Sequence, residues 1–287
     1  MSERKIDEET GVETTGHSWD GIEELNNPLP RWWLWTLYLC IIWGIGYMIA
    51  YPAWPMISSA TSGVMGWSSR ALVAEDIAAH DAENVDLVTA LLAANMTTLP
   101  QDADLNRYAI ARGGSVFRAQ CSQCHGSGAA GAVGYPNLLD NDWLWGGSIE
   151  NIQLTIAHGV RNGTDDDARW SEMPAFGDIL EKAEIESTVE YVISLSHPEN
   201  AGSLATAGAE LFADNCTSCH GDAGLGDQDI GAPNLADEIW LYGGDRDALT
   251  NTITNARFGV MPAWGQRLSD EDVRAVSAYV HALGGGE

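Results

Sequence analysis

Cys121-Ser122-Gln123-Cys124-His125 and Cys216-Thr217-Ser218-Cys219-His220 are the residues whose types and spacing could do chemistry. Two thiols three positions apart, with an imidazole directly after the second, read as covalent c-type haem attachment. Each thiol adds to a haem vinyl group, and the adjacent histidine ligates the iron. Two other chemistries compete for the same residues. Zinc needs four ligands in tetrahedral array, which a histidine abutting the second cysteine supplies poorly. A redox dithiol would want a βαβ context, which is missing. The expected cofactors are therefore two covalently bound haem c groups, on Cys121 and Cys124 with His125, and on Cys216 and Cys219 with His220. Four of the five cysteines are thereby used, and Cys40, inside an apolar run, reads as a small apolar residue.

The sixth iron ligand follows by elimination. Beyond Arg107 the chain holds only Met173 and Met261, and each precedes Pro-Ala-aromatic-Gly. His/Met ligation saturates the iron and raises its potential, which suits electron transfer and leaves no open position for a substrate. His158 is the rival axial ligand in the first copy, and the spacing leaves open whether each methionine serves the haem of its own copy. Arg161 and Arg257 stand at nearly equivalent places before the two methionines. They either pair with haem propionates through bidentate bonds or are solvated surface cations.

Both motifs sit in a repeat. Around them Gly113 matches Gly208, Phe117 matches Phe212, Pro136-Asn137-Leu138 matches Pro233-Asn234-Leu235, and Trp143 matches Trp240. Met173-Pro-Ala-Phe-Gly matches Met261-Pro-Ala-Trp-Gly, and Tyr191-Val192 matches Tyr279-Val280. The first copy is longer, mainly through 163–167. Two copies of one small domain account for the length better than a single large fold. The periodicity predicts helices over 108–120 and 204–215 leading into the motifs, and over 180–195 and 269–283 closing the copies. The last opens with a capping box from Ser269 to Asp272. Gly113 and Gly208 would let the first helix of a copy approach the last, against Tyr191 and Tyr279. The Gly-rich stretches 126–134 and 221–231 lack a Walker Lys-Ser/Thr ending and read as loops around haem.

These elements need a platform. Trp32 to Tyr51 contains no charged residue, enough for a helix of about 30 Å, the thickness of a bilayer's hydrocarbon layer. Trp32, Trp33 and Trp35 mark one end and Tyr47, Tyr51 and Trp54 the other, as interfacial aromatic belts do. A long acidic region precedes the run and no small-x-small site closes it, so it reads as a retained anchor rather than a cleaved signal. The expected organisation is 1–31 as a solvated N-terminal segment without a core, 32–52 as a transmembrane helix, and 53–106 as a connector with a short helix around 85–92. Haem domains follow over 107–198 and 203–287. Arg31 weakly places the N-terminus in the cytoplasm.

The chain is strongly acidic, with 41 acids against 14 basic side chains and a net charge of −27. That excludes a nucleic-acid binder, which needs a basic footprint. Residues 203–287 carry the largest net excess, with 13 acids against four arginines. A basic partner would be steered towards them.

Each copy resembles a class I cytochrome c domain, so the expected fold class is all-α, one transmembrane helix followed by two tandem class I cytochrome c domains. In that family a proline carbonyl after the haem motif accepts a hydrogen bond from the proximal imidazole, a role the resemblance assigns to Pro136 and Pro233. From about His17 onward the chain resembles the dihaem CcoP (FixP) subunits of cbb3-type cytochrome c oxidases. That resemblance rests on W-D-G-I-E-E-L-N-N-P-L-P-R-W-W-L-W at 19–35, Y-P-A-W-P at 51–55, G-V-M-G-W-S-S-R at 63–70, and the tandem haem motifs. It implies periplasmic haem domains on a bacterial inner membrane. It also implies electron entry from a cytochrome c or from a cytochrome bc1 complex. Electrons then leave to a monohaem subunit and on to the haem-copper subunit, where oxygen reduction is coupled to proton translocation. The resemblance implies no catalytic residue on this chain. The alternatives are a membrane-tethered dihaem shuttle without an oxidase, and a dihaem peroxidase, which would need one open haem.

Overall fold

The computed structural model describes residues 5–286. Among the described residues the regular structure is helical apart from one hairpin, and the chain divides into two units at Glu83/Asn84. In the first unit, β1 (Thr14–Trp19) pairs antiparallel with β2 (Ile22–Leu25). Asp20 and Gly21 both take positive φ, the two-residue turn that an Asp-Gly step favours. The hairpin is mostly solvent-exposed, as a segment without a core should be, although Thr14 is buried. Helix α1 (Arg31–Ala50) follows, 20 residues without a single buried side chain. Its last carbonyls do not go unpaired. Residues 63–65 fold back so that the Val64 and Met65 amides donate to Ile49 and Ala50 at 3.0 and 3.1 Å, meeting the need of a helix end for external donors. Gly63 permits the approach, at φ +69°, where a Cβ would collide with the Ala50 carbonyl.

The connector is more helical than expected. Helix α2 (Ser69–Ala93) runs for 25 residues, and the division between the units falls inside it. Its final turns carry Leu87 and Leu91 into a core with Met96, Leu99, Leu105 and Ala109. The Arg274 guanidinium donates to the Leu91 carbonyl at 2.8 Å and to that of Ala94, covering the helix end.

The second unit contains both repeats. α3 (Ala103–Val116) starts on an Asp102 cap, and a π-helical turn (Phe117–Cys121) joins it to α4 (Ser122–His125). α5 (Ile149–His158) and α6 (Lys182–Ser196) complete the first repeat. The second runs through α7 (Ser203–Asn215), α8 (Thr217–His220), α9 (Arg246–Asn255) and α10 (Asp270–His281). Ser269 caps α10 by accepting from the Asp272 amide, while the reciprocal capping box belongs to α6, between Glu181 and Glu184.

The repeats do not close on themselves. α3 crosses α10, and α6 crosses α7. One core therefore joins Phe117, Ile152 and Ile156 of the first copy to Val273, Val276 and Val280 of the second. The other joins Phe176, Ile185, Val189 and Val192 of the first to Phe212, Leu249 and Ile253 of the second. The close approaches expected of Gly113 and Gly208 exist with exchanged partners: Gly113 lies against Ala275 and Tyr279, and Gly208 against Ser187 and Tyr191. Tyr279 packs on Phe117 and Tyr191 on Phe212, with ring centres 5.3 and 5.0 Å apart. The boundaries 107–198 and 203–287 mark repeats in sequence, and each packed core draws on both.

A Cβ at position 113 would run into the Ala275 carbonyl, a backbone atom that cannot swing aside. Gly113→Ala should therefore destabilise the second unit by about 3 kcal/mol, the upper range for overpacking. A chemical denaturation midpoint equal to that of the parent would count against the α3/α10 crossing.

Candidate functional site

The two Cys-x-x-Cys-His motifs occupy equivalent places. In each, an N-terminal helix packed by a fully buried phenylalanine, Phe117 or Phe212, delivers the first cysteine to the core edge. The second cysteine, Cys124 or Cys219, is exposed. At the first motif the π-turn inserts an extra residue into the helix, a deviation common at functional sites.

Each histidine is fixed through its Nδ1. His125 lies 3.0 Å from the Pro136 carbonyl and His220 3.0 Å from the Pro233 carbonyl. A carbonyl can only accept, so Nδ1 carries the proton and donates, and Nε2 keeps its lone pair for a metal. Burial holds both imidazoles below their ordinary pKa, and hence neutral at pH 7. The proline loops are tied back in parallel fashion. Gly131 and Gly226 donate to the His125 and His220 carbonyls at 2.8 and 2.9 Å. Both have positive φ, and a Cβ on either would strike the proline peptide.

The competing chemistries fit poorly. Burial pushes the Cys121 and Cys216 thiols up to about 11, the opposite of the lowered pKa that a reactive dithiol uses. Among the described residues, neither motif gathers further histidine, cysteine or carboxylate ligands. Among the described residues, His158, Asp165 and Asp167 form the one such group, and the His158 Nδ1 lies 3.2 Å from Asp165.

The methionines follow the exchanged helices. Met261 packs among Phe117, Cys121 and Trp143, beside the first motif. It exchanges two backbone hydrogen bonds with Val160, both 3.0 Å, and its carbonyl also accepts from Asn162. Met173 packs among Phe212, Cys216 and Trp240, beside the second. A cavity of about 360 Å³ next to Cys124 is lined from both repeats, with Gln120 and Gln123 facing Trp264, Arg267 and Leu268.

The arginines divide. Arg257 donates to Thr252 at 3.1 Å and lies over Tyr242, 4.9 Å from the ring centre. Arg161 takes φ +49°, and its buried Nε and Nη1 have no hydrogen-bond partner. A buried donor needs an acceptor, and the carboxylates of a haem would supply one, so the residues present fit the group. Arg169 has a similarly orphaned Nε. No sequence signal pointed to it, because it has no counterpart in the second repeat.

The family model described as the N-terminal domain of cytochrome oxidase-cbb3, FixP, matches residues 11–58. The model described as cytochrome C oxidase, cbb3-type, subunit III, matches twice, over 109–192 and 203–280, with one haem motif in each. The chain is 57% identical over 276 residues to the cbb3-type cytochrome c oxidase subunit CcoP of Cereibacter sphaeroides, covering 96% of this chain and 95% of that one. It is 50% identical over 284 residues to subunit FixP of Sinorhizobium medicae, covering 99% and 98%. With the CcoP of Rhodobacter capsulatus it shares 50% over 287 residues, covering 96% and 97%. One apolar helix followed by two cytochrome c repeats, matched end to end by these relatives, shows that the chain belongs to the CcoP/FixP family of cbb3-type cytochrome c oxidase subunits.

Proposed function

We propose that this chain is the membrane-anchored dihaem electron-transfer subunit of a cbb3-type oxidase. The observation that carries the reading is the pair of matched sites, each offering two thiols, a neutral imidazole aimed by a proline carbonyl, and a methionine. One haem c is held by Cys121, Cys124, His125 and Met261, and the other by Cys216, Cys219, His220 and Met173. Haem c, when bound, supplies a reversible one-electron iron couple. Pro136 and Pro233 fix the imidazole rings, the methionines fill the remaining iron position, and Arg161 and Arg257 face the haem carboxylates. No residue of this chain moves a proton to oxygen in this reading, and reduction of oxygen belongs to a haem-copper partner reached through a monohaem subunit. The helix Arg31–Ala50 anchors the chain with its N-terminus cytoplasmic and the haem cores periplasmic. The acidic second repeat draws in a basic cytochrome c.

Isolation of the chain from gently solubilised membranes tests this. Haem b, copper and oxygen uptake should travel with it, and uptake driven by a basic cytochrome c should slow as salt rises. A dihaem chain purifying alone, with no oxidase activity, would overturn the reading in favour of a tethered shuttle.

A further inference from the structure

We propose that Arg169, seated on Trp145 at the seam between the two cores, is a positioning residue that holds a carboxylate of the haem on Cys121 and Cys124. The inference rests on the dihaem reading above and adds to it a residue for which the repeat offers no counterpart.

Arg169 is held on three sides. Its Nη2 donates to the Asn151 Oδ1 at 2.7 Å. Its guanidinium lies 5.5 Å from the Trp145 ring centre, a cation–π distance. Its backbone amide donates to Gly159 at 3.1 Å, and its carbonyl accepts from the Arg161 amide at 2.8 Å, so the two arginines leave one short ladder side by side. On the fourth side Nε is buried and without a hydrogen-bond partner. No carboxylate comes within ion-pair distance of it among the described residues, although Asp229, in the loop after His220, is near enough to act on its charge.

The surroundings belong to both haem loops. A Cβ on Gly231, in the second loop, would strike the Trp145 indole, so that ring is pressed between the repeats. Gly134, in the first loop, donates to the Leu241 carbonyl of the second repeat at 2.8 Å. Arg161 over Phe258 and Arg257 over Tyr242 line the same seam. In a chain with only 14 basic side chains against 41 acids, Arg161 and Arg169 stand side by side on aromatic rings between the two motifs, with three buried N–H donors and no acceptor for them. Leaving their buried N–H groups unpaired carries the full desolvation penalty. Each haem brings two carboxylates, and the guanidinium fork is the side chain whose geometry matches them.

The test is a potentiometric titration of the matured two-haem protein, with the first haem assigned by repeating it in the Cys216→Ala/Cys219→Ala chain. Removing a cation favours the more positive, oxidised iron. Arg169→Gln should shift the reduction equilibrium of the haem on Cys121 and Cys124 at least tenfold towards the oxidised state, a fall of 59 mV for one electron. Arg169→Lys should recover most of the shift, since it keeps the charge, and the haem on Cys216 and Cys219 should move less. Unchanged midpoints in Arg169→Gln with both haems bound would overturn the proposal while leaving the dihaem reading intact. A parent chain carrying fewer than two haems would instead overturn that reading. Should Arg169→Gln not accumulate, Asn151→Ala is titrated in its place. Freeing Arg169 from its anchor lowers the same potential, and an unmoved value sinks the proposal.

Discussion

Met261→Leu should strip the sixth ligand from the haem on Cys121 and Cys124, although Met261 lies 140 positions after Cys121 in the sequence and meets it only in the shared core. Met173→Leu should do the same to the haem on Cys216 and Cys219. Leucine conserves volume, so loss of packing costs less than about 1.5 kcal/mol and the ligand effect stands alone. The affected haem should lose its low-spin His/Met spectrum, and its potential should fall by on the order of tenths of a volt, within the roughly 0.8 V that axial ligation controls. Chains keeping one haem decide the pairing. In Cys216→Ala/Cys219→Ala, Met261→Leu should abolish the remaining low-spin spectrum while Met173→Leu leaves it intact. The reverse pattern would show that each repeat ligates its own haem and that the exchanged packing does not extend to the iron.

A chain ended after Pro198 should fail to give a low-spin haem at all, although it retains the anchor, the first haem motif and Met173. In self-contained repeats it would keep a whole domain. Here it loses α10, and with it Val273, Val276 and Val280, the partners of Phe117, Ile152 and Ile156. It loses α7 as well, which exposes the face of α6 carrying Ile185, Val189 and Val192. Each such buried side chain contributes about 1.5–3 kcal/mol, and a domain is stable by only about 5–15 kcal/mol, so neither core survives the deletion. Haem can still be attached to Cys121 and Cys124, because the motif is intact. The expected product is therefore a haem-bearing but loosely folded chain, with a high-spin or heterogeneous visible spectrum and broad thermal unfolding. A sharply melting, low-spin 198-residue product would refute the exchange of closing helices.

The arrangement of the two motifs was legible in the sequence because it is local. Thiols, imidazole and the following proline lie within 16 residues at the first motif and 18 at the second, and the repeat pointed to the methionines. Which methionine packs beside which motif was not legible, for a physical reason. Gly113 and Gly208 match each other, as do Tyr191 and Tyr279, so either helix crossing would bury the same chemical surfaces. What separates the alternatives lies elsewhere, in contacts that break the repeat. Arg112 pairs with Asp272 at 2.7 Å, and Arg274 clasps the end of α2; neither arginine has a basic equivalent in the opposite repeat. The hairpin at Asp20-Gly21 carried a readable turn signal that the surrounding acids masked. Most of α2 carried none, because its exposed first turns lack an apolar stripe and only its last turns enter a core. The 63–70 stretch, which carried part of the family resemblance, had no visible task until the Val64 and Met65 amides were seen to close the end of α1.

The crossed helices also set an order on the chain in time. α6 and α7 are neighbours joined by a short 3-10 turn at Pro198–Asn200, so their core can form as soon as both have been made. Arg112 and Asp272, by contrast, are 160 residues apart, and contacts so distant in sequence are slow to form. One core is thus nested inside the other like inner brackets within outer ones. Folding the inner pair brings the outer ends together and shortens the loop that remains to be closed. The haem motif synthesised first is the one enclosed last, after the final helix of the chain has arrived.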